Sequence, residues 1–382
     1  VAWEQPLHVE FLGRYAEGRQ PTFDKLVCTS DFIALNARVT PDTVQAAANI
    51  NLNKLRARLA DFVNLGDVVL DGEAAASLVG QRHPDGTFRA EATVALKNFK
   101  ALDHNGRGLT EPALRVHLAA TGKAPDGALV RLDTASGTLA AAGDELRVAL
   151  VEPVANVREL SSGSVDVHLT GDLARWKTRA ATVVGMPAFD LTGAIEARGK
   201  AKLSKESVTV DRLAVTLTKP KLTRWLDLDE PIMSAVGDLT YTRATGRAAF
   251  TQLTVNSVPL SVDRGTVVFE RRADGEFIVG GSGPCVADLN RLGKTVGLYA
   301  DATGPDAVTG RGTGPLRFRY EAGVTTFGGT LDVTSFGYGP KEKFIWFEPA
   351  LRVEAEGVYS DKADSVTLNS ARVERPGLAL DA

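Results

Sequence analysis

The sequence predicts a mainly β fold: an elongated, antiparallel, repetitive β-sheet, groove-like or taco-like, with about three short amphipathic helices. Three observations carry this expectation. A short phrase occurs three times, as Asn51-Leu52-Asn53-Lys54-Leu55, Asp172-Leu173-Ala174-Arg175-Trp176 and Asp288-Leu289-Asn290-Arg291-Leu292. Each copy is followed, at nearly the same distance, by an apolar residue, a polar residue and Gly: Leu70-Asp71-Gly72, Leu191-Thr192-Gly193 and Val308-Thr309-Gly310. Between the copies, short alternating segments are broken by frequent turn signals, the pattern of consecutive antiparallel strands.

The phrase has helical character. Asn and Asp are good N-caps, because the side-chain oxygen accepts from an unpaired first-turn N–H. The apolar residues that follow keep one stripe: Leu52, Leu55, Leu59 and Phe62, then Leu173, Trp176, Ala180 and Val183, then Leu289, Leu292, Val296 and Tyr299. Helices are expected over about 51–64, 172–185 and 287–299. Helices this short are marginal alone, so each stripe must rest on an apolar surface. A weaker echo is Leu222-Thr223-Arg224-Trp225, followed early by Gly237.

Strands are expected around Leu7 to Phe11, Leu26 to Cys28 and Ile33 to Val39, then at 67–79 and 87–99. The last two join through Pro84-Asp85-Gly86, where Pro presets φ and Gly accepts a positive one. Further strands are expected at 113–121, 128–133 and 145–151. Ser164-Val165-Asp166-Val167-His168-Leu169 alternates cleanly, with one dry and one wet face. The meander continues at 189–203, 206–219, 238–244, 247–256, 258–263 and 265–271, with 220–236 a helical or looped insert. In the last third, Ala302 to Gly314 reads as loop, and strands follow at 315–321, 324–334, 343–348, 350–359 and 364–374. Helical stripes are too few for parallel βαβ units. Units of 1–160, 161–280 and 281–382 follow from the repeats.

Composition narrows the classes. The hydrophobic share of 44 % and charged share of 24 % fit a folded soluble protein, not a disordered one. A net charge of −3 gives no electrostatic case for nucleic acid or an anionic surface. No apolar run reaches the length that spans a bilayer as a helix. Cys28 and Cys285 form neither a disulfide framework nor a metal motif; pairing stays open, and buried free thiols are the simpler expectation. The chain starts at Val1 and ends on strand-like text, Gly377 to Ala382, so a segment of a larger protein is expected.

Chemistry-bearing patterns are scarce. His117 and His168 fall on the polar phase of their strands, and His83 and His104 in turns. Gly310-Arg311-Gly312-Thr313-Gly314 lacks the Lys-Ser/Thr of a phosphate loop and reads as a loop before a strand. Asp227, Asp229 and Glu230 near Trp225 are the carboxylates to consider for a hydrolase; a solvated turn is the simpler reading. No catalytic residue, metal ligand or cofactor is nominated, and a non-enzymatic role is expected.

The strand, D-L-x-R-L helix and Gly-led strand ladder resemble the AsmA-like proteins of bacterial envelopes, related to the TamB and YhdP group. The residues that carry the resemblance are Asn51 to Leu65 leading into Val68-Val69-Leu70-Asp71-Gly72, and Gly171 to Gly185 leading into Phe189-Asp190-Leu191-Thr192-Gly193. Val208-Thr209-Val210-Asp211-Arg212-Leu213-Ala214-Val215-Thr216-Leu217 also resembles that family's strands. The resemblance implies an apolar β-groove that carries phospholipid between envelope membranes. It also implies a periplasmic or envelope location in a diderm bacterium, and membrane contact through flanking regions outside this chain. Under it, Val165, Val167, Leu169, Leu316, Phe318 and Tyr320 become groove-lining candidates. Two readings of these dry faces are open: a lipid-holding groove, or core packed against helices and other strands. The second goes with a structural or adhesive β-repeat that has a closed core and no lipid ligand.

Overall fold

The computed structural model describes residues 6–14, 22–60, 62–64, 66, 68–103, 106, 108–125, 128–157, 163–184, 191–222, 231–272, 276–295, 307–340, 343–360, 362–363, 365–375 and 377–381. The fold is mainly β, with 75 % strand and three short helices. The chain divides into two compact units, Val1–Gly171 with Arg175–Met186, and Asp172–Ala174 with Pro187–Ala382.

The first unit is an antiparallel meander. Its strands are β1 (His8–Arg14), β2 (Thr22–Thr29), β3 (Ile33–Val39) and β4 (Thr43–Asn51), followed by helix α1 (Leu52–Leu59). Then come β5 (Val69–Arg82), β6 (Thr87–Leu102), β7 (Gly108–Lys123), β8 (Arg131–Ala141), β9 (Asp144–Leu150) and β10 (Gly163–Asp172). Each strand pairs antiparallel with the next. Helix α2 (Leu173–Val184) follows β10 without a break.

The second unit repeats the plan. It contains β11 (Leu191–Leu203), β12 (Ser207–Leu222), β13 (Ile232–Thr242), β14 (Arg247–Asn256), β15 (Leu260–Arg271) and β16 (Phe277–Asp288), then α3 (Leu289–Thr295). After the helix come β17 (Val308–Glu321), β18 (Val324–Tyr338), β19 (Trp346–Ser360), β20 (Ser365–Arg375) and β21 (Leu378–Asp381). Pairing is again antiparallel between successive strands.

The threefold phrase marks three equivalent junctions, where a strand turns directly into a helix. Asn51 Oδ1 accepts from Lys54 N at 2.9 Å, and Asp288 Oδ1 accepts from Arg291 N at 3.2 Å, both as N-caps. The backbones of the two caps are also tied to the preceding hairpin turn, Asn51 N to Phe32 O at 2.8 Å and Asp288 N to Pro259 O at 2.9 Å. The matched glycines do one job. Gly72, Gly193 and Gly310 have φ of 107°, 124° and 129°, a region that L side chains rarely enter. Each sits at a bulge that shifts the ladder by one residue.

The repeat reaches further than the sequence phrase. On the strand after each glycine lies a non-glycine residue with positive φ: Asn98 (48°), Lys219 (48°) and Ser335 (53°). One strand further on lies a proline: Pro112, Pro231 and Pro349. The β6–β7 and β18–β19 registers skip Asn98 with Pro112 and Ser335 with Pro349. A proline there removes no ladder hydrogen bond, because its position has none to give.

Several elements differ from the local reading. Helix α1 ends earlier, at Leu59, and Phe62 beyond it is 73 % exposed rather than part of a buried stripe; the expected ends of the other two helices, at 185 and 296–299, lie outside the described residues. Val296 and Tyr299 lie outside the described residues, as do 223–230 with Trp225, Asp227, Asp229 and Glu230. β4 forms over Thr43–Asn51 despite its alanine run, because pairing on both sides overrides weak β propensity. β8 starts later and runs on to Ala141 through small residues. Gly310 to Gly314 is strand, not loop: a Cβ on Gly312 would lie 3.3 Å from Leu331 Cδ1 and 3.6 Å from Leu289 Cδ2, so its bare backbone seats α3. The pairs of strands read at 258–271 and 343–359 are single strands, β15 and β19.

Fully buried apolar residues are few. Among the described residues they are Leu52, Ala141, Val154, Ala201, Cys285, Ala287, Ala307, Val333 and Leu351. Five of these nine are Ala or Cys, so little large apolar volume is enclosed in either unit.

Candidate functional site

Ladder register decides which side chains share a face, since paired residues project to the same side. In the first unit it aligns Val9, Cys28, Leu35, Ala48 and Ala76 on β1 to β5. The row continues through Val94, Val116, Leu139, Leu146 and Leu169 on β6 to β10. A second row, two residues along each strand, starts at Phe11 and Leu26 and ends at Val148 and Val167 without a polar member. The opposite face aligns Ser77, Thr93, His117, Thr138, Arg147 and His168. The sheet is therefore amphipathic across β5 to β10, with the apolar rows running on to β1.

The second unit repeats the segregation with larger side chains. One row runs Ala201, Val210, Leu239, Phe250 and Val267, then Gly281, Phe318, Phe327, Gly357 and Leu368. Its glycines make room for the rings. A Cβ on Gly281 would lie 2.5 Å from Phe318 Cε1, and one on Gly357 would lie 2.6 Å from Phe327 Cζ. Each ring therefore rests over the bare backbone of a glycine on the neighbouring strand. The opposite face is laced with ion pairs such as Arg247–Glu270 at 2.9 Å and Arg317–Glu356.

These apolar faces are only partly covered. Phe11 is 57 % exposed, Leu118 52 % and Phe318 41 %, although each belongs to an apolar row. A packed second layer would have reduced such values to a few per cent. Ten strands at the usual spacing span about 43 Å, so the two rows form an apolar band of that length. In the second unit the face dips into a shallow depression of about 270 Å³, lined by Leu316, Phe318, Phe327, Leu331, Val353 and Ala355.

All six residues nominated from sequence fall on apolar faces. Val165, Val167 and Leu169 pair with Leu150, Val148 and Leu146 on β9. Leu316, Phe318 and Tyr320 occupy three adjacent rows on β17, beside Gly283, Gly281 and Val279. Two of the three β17 residues line the depression, and the β10 residues belong to the first unit. Local reading missed the alanine positions of β4 to β6 and the aromatic–glycine pairs. Ala46-Ala47-Ala48 and Ala74-Ala75-Ala76 are unbroken alanine runs, so no polar alternation marked their strands.

Charged groups near the helices serve structure. Arg179 donates to Glu111 Oε1 at 2.6 Å and to Asp144 Oδ2 at 2.7 Å, and Arg175 grips Asp144 with two bonds of 2.6 Å. Burial opposes the charge of Arg179, but its bonds to Glu111 and Asp144 outweigh that and raise its pKa. Arg179 also lies 4.9 Å from the Trp176 ring, and the indole donates to Thr170 O at 3.0 Å. Both carboxylates are thus engaged by arginines that tie α2 to the sheet. The same position in α1 is Arg58, paired with Asp31 at 3.0 Å. On the wet face His117 meets Glu91 at 2.9 Å, and that bond lowers the Glu91 pKa. His168 faces Arg147 across the ladder, and Cys28 and Cys285 are free thiols, the latter with its pKa raised by burial. Among the described residues no group of three or more His, Cys, Asp or Glu could hold a metal ion, and no helix is long and apolar enough to cross a membrane.

The fold and surface define a class: an antiparallel β-repeat protein with one greasy and one wet face. No family model matches the sequence, and neither a curated protein nor a solved structure matches it.

Proposed function

We propose that this protein is a non-enzymatic scaffold of the bacterial cell envelope that binds or conducts phospholipid along its apolar sheet faces. The observation that supports this reading is the run of apolar rows across ten successive strands whose central members stay half-exposed. An acyl chain in water costs about 0.8 kcal/mol per CH₂, roughly 12 kcal/mol for a sixteen-carbon tail. A carrier offsets that only with unbroken apolar surface, and these rows offer it without a charged interruption. The ligand is an acyl-chain lipid, the chemistry needs no cofactor, and the setting is the periplasm of a diderm bacterium, with membrane contact through flanking regions.

Native mass spectrometry of gently purified protein tests the reading. Co-purified phospholipid is expected, and Phe318→Glu should abolish it by placing a charge in the row. Protein that carries no lipid and does not bind a fluorescent fatty acid would sink the proposal in favour of a purely structural β-repeat.

A further inference from the structure

We propose that the tip of the β18–β19 hairpin docks into the interface of a lipid bilayer. Ile345, Trp346 and Phe347 are consecutive there, with exposures of 69 %, 39 % and 53 %. Successive strand residues project to opposite faces. Trp346 and Phe347 open β19, so their exposure makes this end of the hairpin apolar on both sides, with Ile345 beside them. A groove on a protein partner would take one side and leave the other wet. A lipid interface surrounds the tip and accepts both.

The tip is organised in advance. Phe336 meets Trp346 edge-on at 4.9 Å, and Phe344 stacks on Phe347 at 5.9 Å. A Cβ on Gly337 would lie 2.6 Å from Phe344 Cε1, so the ring lies against bare backbone. Gly339, with φ of 105°, lets the chain reverse, and Ile345 N bonds back to Tyr338 O at 2.8 Å. Entry into lipid then needs little further ordering. The polar atoms are provided for. Trp346 Nε1 donates to Glu348 Oε1 at 3.0 Å, and Glu348 also takes Arg375 Nη1 at 2.6 Å, so this carboxylate presents no free negative charge. Tryptophan with its N–H satisfied and its ring outward suits the boundary between headgroups and chains. Lys343 is exposed, has no ion pair among the described residues, and stands where lipid phosphates would lie.

This surface is distinct from the acyl-binding rows: it touches a membrane, whereas they would hold single chains. The test is flotation of the full chain with vesicles of phosphatidylcholine, with and without phosphatidylglycerol. Wild-type protein should float with both, more strongly with the anionic lipid, with a blue shift of tryptophan fluorescence. Ile345→Ser with Phe347→Ser should lower the partition coefficient about tenfold or more. Lys343→Glu, on an exposed side chain, should weaken flotation on anionic vesicles only. Wild-type protein that stays with the buffer, or a double variant that floats like wild type, would overturn the proposal. If the double variant melts at a lower temperature, Lys343→Glu decides, and equal flotation on anionic vesicles counts against docking. Fatty-acid binding should survive the tip changes, and flotation should survive Phe318→Glu, so either idea can fail without the other.

Discussion

Two stretches of one apolar face in the second unit show what the helices are for. Under α3, the row Ala287, Gly312, Val333 and Leu351 is sealed, with Val333 only 2 % exposed. Six residues further along β17, Phe318 is 41 % exposed, and Phe269 on the neighbouring β15 is 38 % exposed. Composition does not separate the two stretches, since both are apolar. A seven-residue helix lies over β16 and β17 at the sealed stretch, with Leu289 seated on Gly312, and over none of the open one. In the first unit, α1 lies over β4 and β5 in the same relation and buries Leu52. Each of these helices closes one end of an apolar face and leaves the rest open.

The largest effect should come from unseating a helix. Arg179→Ala would leave Glu111 buried without its counter-charge and Asp144 with Arg175 alone, a loss of about 3–5 kcal/mol. Urea unfolding of the first unit should record it, and a midpoint unchanged from wild type would mean that α2 is held by something other than these ion pairs. Next comes the contrast itself. Leu351→Ala beneath the sealed end should cost about 2–4 kcal/mol, whereas Phe318→Ala on the open face should cost about 1 kcal/mol or less. Equal losses in calorimetry would erase the distinction between sealed and open stretches.

The bulges come third. Gly72→Ala places a Cβ 2.6 Å from the carbonyls of Lys97 and Asn98 at a φ of 107°, at a cost of about 1–3 kcal/mol. Hydrogen exchange should quicken at α1 and the start of β5 while β8 and β9 stay protected; uniform change would argue against a local joint. The smallest effect is on acidity. Bonding from Trp346, helped by Arg375, holds the Glu348 pKa below its ordinary 4.5. A depressed folded-state pKa means that its stabilisation is complete above the ordinary value and is lost as pH falls through the lower, folded one. Trp346 fluorescence should change in that acid range in wild type and not in Glu348→Gln.

Much of the fold could be read locally. Asn51 and Asp288 were recognisable as caps because a cap works through hydrogen bonds to its own first turn. Pro84-Asp85-Gly86 marked a hairpin for the same local reason. What failed had non-local causes. Gly310 to Gly314 reads as loop until Leu289 is known to sit on Gly312. Pro349 splits a strand on paper but not in space, because Ser335 opposite it asks for no hydrogen bond. The recurrence of Gly, positive-φ residue and Pro on three successive strands spans about forty residues, and no short motif holds it.

The sequence by itself determined the β class, the three strand-to-helix junctions and the alternation that gives each strand a dry side. Those are properties of neighbours along a chain, set by dihedral preference and side-chain period. Only the tertiary structure decided that the dry sides of ten strands line up, which stretches a helix covers, and where aromatic rings rest on glycine. Register between strands is a long-range quantity, fixed by hydrogen bonds and bulges that no single segment contains.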